Sequence, residues 1–258
     1  MTISNSAQLS RRGFLQGAGL TAAAVAAAGL VAGTASQALA AEEAPTYDVA
    51  ETMDVDIVVV GSGSAGVAAT VQAAELGATT LLLEKQEITG GNGRMTEGMF
   101  AINSQMQKEL GVGDEVTFRD IISAEQEFFN YRINNLLWKD MVEASGEDID
   151  WMASHGVEFS GVVDDYHGLG KFDCFHWFGN EGSGSCYIDP MIESAQNMGA
   201  TVMTSTPAVD LIIEDGVVKG VYAQREDGSI LQVNAKAVIL TSGGYAQNEE
   251  IMAERGWD

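Results

Sequence analysis

Two rhythms of apolar residues run along this chain, and they predict different elements. The first is short and unbroken. Ile57-Val58-Val59-Val60 reads as a strand buried on both faces, placed from Val55 to Val60. An Ala-rich stretch from Ala65 to Leu76 then reads as a helix stopped by Gly77, and Thr79 to Glu84 as a second strand. Together they make a β-α-β unit. The second rhythm spans Glu115 to Ser154, where Phe118, Ile121, Ile122, Leu136, Leu137, Met141, Ile149 and Met152 recur at three- and four-residue steps. It predicts helices with core-facing stripes, punctuated at Gly146. Between the two regions, Thr89-Gly90-Gly91-Asn92-Gly93-Arg94 is too polar and glycine-dense for a regular element and reads as a loop.

A short strand is expected near Val157-Glu158-Phe159, followed by an irregular stretch from Asp164 to Ser185. That stretch carries His167 and His176 among aromatics, so His176 has two readings: it lines a ligand cavity, or it is a packed loop histidine. Gly182-Ser183-Gly184-Ser185 leads toward a helix, with Asp189 as N-cap, Pro190 at its first position and Met198 near its end. Strands follow at Ala200–Thr204, Val209–Ile213, Val217–Gln224 and Ile230–Val233. Asp215-Gly216 and Asp227-Gly228 between apolar runs are strong hairpin signals. A last parallel strand, Ala237 to Leu240, runs into Thr241-Ser242-Gly243-Gly244. The fold class is therefore α/β: a Rossmann-like domain with a parallel sheet, inserted helices and a small antiparallel β-meander.

The chemistry sits where strands end. Gly61-Ser62-Gly63-Ser64-Ala65-Gly66 is a Gly-x-Gly-x-x-Gly turn between a strand and a helix, the context in which that weak pattern becomes a dinucleotide cradle. An acid about 20 residues on should take ribose hydroxyls, and Glu84 stands there.

The chain has 258 residues and a formal charge of −24, which argues against nucleic acid and anionic membrane surfaces as partners. Cys174 and Cys186 are too few for a disulfide scaffold, and either one disulfide or two thiols fits them. No metal-ligand spacing occurs. Residues 1–40 read as a secretory leader. Arg11-Arg12, with Phe14-Leu15 after them, resemble the twin-arginine type and precede an apolar run, and Ala38-Leu39-Ala40 offers a small-x-small cleavage site. The expectation is export across the cytoplasmic membrane to the periplasm or cell surface, without stable membrane insertion. Residues 41–53 read as a linker and 54–258 as the folded domain.

These signatures, taken in order, resemble the flavoprotein subunit of the fumarate reductase/succinate dehydrogenase family, particularly its exported single-subunit bacterial reductases. The resemblance implies FAD as cofactor. It places Gly61, Ser62, Gly63, Ser64, Ala65 and Gly66 on the pyrophosphate and Glu84, with Lys85 beside it, on the adenosine ribose. Gly90, Gly91, Asn92 and Gly93 would wrap the diphosphate, Val209 would meet the adenine, and Ser242 and Gly243 would close the site. Gly98 fits the family's next loop, whereas Glu97 and Met99 depart from it.

The implied activity is reduction of a C=C bond in a small unsaturated organic acid, fed by a separate electron-donor protein or membrane quinol. Two alternatives stand beside it: a flavin-dependent dehydrogenase of the 3-ketosteroid type, and a non-catalytic flavin- or nucleotide-binding remnant. A simple NAD-dependent dehydrogenase fits the later glycine loops and the meander less well. The family's cap domain and returning C-terminal flavin-binding segment are expected to be absent from a chain ending at Trp257-Asp258. The expectation is thus a truncated form, and no catalytic residue is assigned.

Overall fold

The computed structural model describes residues 45–113, 116–165, 172–179 and 184–256. The expected leader, residues 41–44 of the linker, Glu115, His167, Gly182-Ser183 and Trp257-Asp258 lie outside the described residues. Two compact units are present. One comprises residues up to Ser62, Ala73–Ile88 and Gly199 onward; the other comprises Gly63–Gln72 and Thr89–Met198.

The first unit is built on a six-stranded sheet. Its strands are β1 (Val49–Val60), β2 (Thr80–Leu83), β6 (Thr201–Met203), β7 (Ala208–Glu214), β8 (Val217–Gln224) and β9 (Ile230–Leu240), in the order β6-β2-β1-β9-β8-β7. β1 pairs in parallel with both β2 and β9, so the strand order reverses at β1. In an open sheet of this kind, ligands bind outside the carboxyl ends at that reversal. The unbroken apolar run has the cause inferred for it, since Val58 and Val59 are fully buried, as are Leu81 and Leu82 beside them. Val221, Ala223, Leu231 and Val233 extend the same core across the meander. Asp215 (φ 49°) and Gly216 (φ 77°) form the two-residue turn with both central φ positive that joins β7 to β8.

Two expectations change here. β1 begins at Val49, so residues 49–53 of the expected linker are strand. The expected strands Ile230–Val233 and Ala237–Leu240 are one strand, β9. Its first half pairs antiparallel with β8, and its whole length runs parallel to β1. The meander therefore continues the main sheet instead of interrupting it. Asn234 and Lys236 look like a break in sequence, but they are satisfied across the ladder. The Asn234 amide donates to Asp54 Oδ1 at 2.8 Å, and Lys236 pairs with Asp56.

In the second unit, a three-stranded antiparallel sheet takes the order β3-β5-β4, from β3 (Gly98–Phe100), β4 (Phe159–Asp165) and β5 (Asp173–Phe178). Four helices accompany it: α2 (Gln105–Leu110), α3 (Phe118–Phe128), α4 (Asn135–Ser154) and α5 (Ser185–Asn197). α1 (Ser64–Glu75) starts in this unit, and α6 (Glu249–Glu254) closes the described chain in the other. Ile102, Ile121, Val142 and Cys174 form a core flanked by Phe100, Phe118, Trp138 and Phe172.

Further corrections fall in this unit. Gly146 does not separate two helices; it lies inside α4, where a Cβ would stand 2.4 Å from the Ile102 carbonyl oxygen. The break falls earlier, between α3 and α4, where Asn134 caps α4 by accepting from the N–H groups of Leu136 and Leu137. The stretch expected to be irregular contains β5, whose alternation buries Cys174, His176 and Phe178. The glycine loop is a 3₁₀ turn over Gly91–Met95. α5 starts at Ser185, so Pro190 is inside the helix and Asp189 is not its N-cap. Cys174 and Cys186 are two thiols, with no disulfide between them.

Candidate functional site

The carboxyl end of β1 is locked on both sides. Gly61 N–H donates to Leu83 O at 2.8 Å, and the Thr241 hydroxyl lies 2.9 and 2.8 Å from the carbonyl oxygens of Val60 and Gly61. A Cβ on Gly61, which has φ +101°, would stand 2.7 Å from Thr241 O. Glycine is thus required by the meeting of β1 with β9. Ser62 is fully buried, and both its N–H (2.9 Å) and its hydroxyl (2.6 Å) donate to Glu84 Oε2. Gln86 N–H donates to Oε1 at 2.9 Å. Burial alone would raise the Glu84 pKa, but the hydrogen bonds from Ser62 and Gln86 outweigh it and hold the carboxyl below its ordinary value. Glu84 is therefore ionised at neutral pH, with the geometry of an acceptor for sugar hydroxyls.

The other predicted residues of this unit occupy distinct places. Lys85 is exposed beside Glu84. Val209 is the extra residue of a bulge: Ala208 pairs with Ala223 and Asp210 with Tyr222, leaving Val209 out of register. A bulge leaves backbone groups of the extra residue outside the ladder. Ser242 and Gly243 are exposed just past β9, and a Cβ on Gly243 or Gly244 would meet no atom within 4 Å.

In the second unit, the start of α1 faces the glycine loop. Gly63 has nothing within 4 Å of a would-be Cβ, whereas Gly91 would approach the Gly63 Cα at 3.7 Å. Ser64 and Ala65 are exposed, and Gly66 is buried. Gly90 (φ +107°) would strike Arg94 and Ile188, and Gly93 would strike the Ser64 hydroxyl at 2.7 Å. Asn92 is exposed on the turn. Gly98 has a reason within β3: a Cβ there would lie 2.3 Å from His176 O across the ladder to β5.

His176 takes the packed reading, on a strand instead of a loop. Its ring is fully buried, with Nδ1 facing the Cys174 carbonyl at 3.3 Å and Nε2 at 2.7 Å from Ser104 Oγ. A carbonyl can only accept, so Nδ1 carries the proton and Nε2 accepts from Ser104. Burial lowers the His176 pKa and keeps the ring neutral.

Sequence reasoning did not single out three contributors. Thr241 ties β9 to β1. Arg94 donates from Nε to Thr89 O at 2.6 Å and pairs with Asp189. The Tyr187 phenol is hydrogen-bonded to Ser64, and its ring stacks on Phe178 at 5.4 Å. The first two stand within quoted motifs without a role of their own, whereas Tyr187 carried no signal.

The residues present fit a dinucleotide flavin. Glu84 offers an ionised acceptor, Gly63 has no protein atom within 4 Å of a would-be Cβ, and Val209 stands at a bulge, each taken by itself a feature of the kind a dinucleotide cofactor uses. Among the described residues, no helix is long and apolar enough to cross a membrane.

Comparison with known proteins agrees with that chemistry. The family described as "FAD binding domain" matches residues 56–256. A vinyl phenol reductase of Lactiplantibacillus plantarum is 38% identical over 200 residues, covering 76% of this chain and 39% of the relative. A fumarate reductase (cytochrome) of Shewanella frigidimarina is 31% identical over 206 residues, covering 78% and 35%. Among solved structures, the open conformation of a flavocytochrome c3 fumarate reductase superposes with a TM-score of 0.71 at 26% identity, over 80% of this chain and 36% of that one. The chain thus spans well under half the length of these relatives.

Proposed function

We propose that this chain, which belongs to the FAD binding domain family, is the FAD-holding part of a reductase that saturates a C=C bond in a small unsaturated organic substrate. One observation carries the cofactor half of this reading. Glu84 is buried yet ionised at the end of β2, and its fixed backbone donors come from Ser62, Lys85 and Gln86. Its remaining partner, the Ser62 hydroxyl, is a rotor that a ribose hydroxyl can replace.

In this reading Glu84 holds the adenosine ribose, with Lys85 at its rim. Gly63 to Gly66 and Gly90 to Asn92 present backbone to the diphosphate, whereas Gly61, Ser62 and Gly93, whose N–H groups are held by Leu83 O, Glu84 and Gly90 O, shape the two turns. Val209 offers backbone to the adenine, and Ser242 and Gly243 complete the cradle. Gly98 acts indirectly, by letting β3 lie against β5. FAD, when bound and reduced by the separate donor, would supply hydride to a conjugated double bond. What the chain's own residues do is bind and orient. The names of the relatives, a vinyl phenol reductase and a fumarate reductase, support conjugated alkenes as the substrate class. The leader's paired arginines support export by the twin-arginine route, and a separate donor protein or quinol supports the reducing half.

The test is anaerobic. The reductase of which this chain is the FAD-holding part, loaded with FAD and reduced with dithionite, is mixed with fumarate or 4-vinylphenol. Recovery of oxidised-flavin absorbance with the alkene, and none with succinate or 4-ethylphenol, is the expected result. Reoxidation by dioxygen alone would overturn the reductase half of the reading.

A further inference from the structure

The glycine loop owes its shape to one side chain. Residues 89–93 contain three glycines, and Gly90 and Gly91 have φ of 107° and 48°. Such a segment has many conformations to lose on ordering. Arg94 counters this from inside the same turn. Its Nε donates to Thr89 O at 2.6 Å, and its guanidinium also reaches Asp189 on α5 through both terminal nitrogens. A planar guanidinium can hold a backbone carbonyl and a carboxylate at once, which an ammonium cannot do with the same geometry. The surroundings leave no slack. A Cβ at Gly184 would lie 2.0 Å from Gly93 O, and one at Gly90 would lie 2.7 Å from the Arg94 Cγ. Loop, arginine and the start of α5 are fitted to one another.

We infer that Arg94, braced by Asp189, is a positioning residue that fixes the Gly90–Gly93 backbone in its FAD-receiving shape before the cofactor arrives. The inference rests on the FAD reading above and adds to it the residue that sets affinity through preorganisation. Rigidifying a loop in its bound shape strengthens binding by removing an ordering cost, without any new contact to the ligand. Arg94 is committed to Thr89 and Asp189 and is not a phosphate ligand.

The experiment uses the full chain in three forms: wild type, Arg94→Ala and Arg94→Lys. FAD affinity is measured by quenching of flavin fluorescence, and loop order by amide hydrogen exchange over residues 89–95, with and without FAD. The expected result is an FAD Kd raised about tenfold in Arg94→Ala, with Arg94→Lys recovering little of it. Exchange in the loop should rise in the cofactor-free variant and return to the wild-type level at saturating FAD. Asp189→Asn should weaken binding by about threefold, as befits a partly exposed partner. A Kd within twofold of wild type in Arg94→Ala, or loop exchange that does not rise without FAD, would overturn the inference. If wild type bound no FAD the cradle reading would fail, and the cofactor-free exchange comparison would still decide whether Arg94 orders the loop.

Discussion

Gly61 and Gly63 are two residues apart in one motif, yet their surroundings are opposite. At the strand-end corner, Gly61 is enclosed: a Cβ there would stand 2.7 Å from Thr241 O, and its φ of +101° excludes ordinary side chains. At the mouth of α1, Gly63 has nothing within 4 Å, and its φ is not in the left-handed region. The first glycine serves the meeting of β1 with β9. No protein atom opposes a side chain at the second, and the proposed cradle assigns that open face to a phosphate group. One glycine of the motif is thus accounted for by the fold, and the other only by the proposal.

The sharpest way to break this comparison is Gly61→Ala. Left-handed strain and the clash with Thr241 should together cost about 3 kcal/mol, read as a lowered midpoint in chemical denaturation. His176→Phe comes next. It leaves the buried Ser104 hydroxyl without its acceptor, and should cost about 2 kcal/mol in the same assay.

His176 also sets a pH dependence. Its folded pKa lies below the ordinary 6.5, so its contribution is complete above that value and is lost as pH falls below it. Glu84 behaves with the same sign at lower pH. Its folded pKa lies below 4.5, so its stabilisation is complete above 4.5 and is lost as pH falls through the folded value. Denaturation midpoints followed from pH 7.5 to 3.5 should fall in two regions. His176→Phe should flatten the upper one and Glu84→Gln the lower. The smallest stability effect belongs to Gly63→Ala, expected within about 0.5 kcal/mol of wild type because no protein atom opposes the methyl.

Much of the first unit was legible because its signals are local. A buried strand, a glycine turn, an alanine-rich helix and an acid at the next strand end lie within about 30 residues, and the spacing alone placed Glu84. What was not legible depended on distant partners. β9 looked broken at Asn234 and Lys236 because their partners, Asp54 and Asp56, are about 180 residues away. β5 does not read as a strand in sequence because Phe175 and Trp177 interrupt any apolar alternation, although the fold buries Cys174, His176 and Phe178 at a strict two-residue period. Gly146 read as a break, since nothing in α4 itself reveals the Ile102 carbonyl packed against it. At the site, the motif named the glycines and the acid. The side chains that hold them in place, Ser62 on Glu84, Thr241 on β1 and Arg94 on its own loop, emerge only from the fold.

The measurement that bears most directly on the cradle is a pair of titrations of the full chain, one with FAD and one with FMN. FMN carries the flavin ring and one phosphate but lacks the adenosine and diphosphate that the proposed function assigns to Glu84, Gly63 and the Val209 bulge. The account predicts that FAD binds at least about tenfold more tightly than FMN, and that Gly63→Ala abolishes the preference while the fold stays intact. Equal affinity for the two flavins, or an FAD preference that survives Gly63→Ala unchanged, would contradict it.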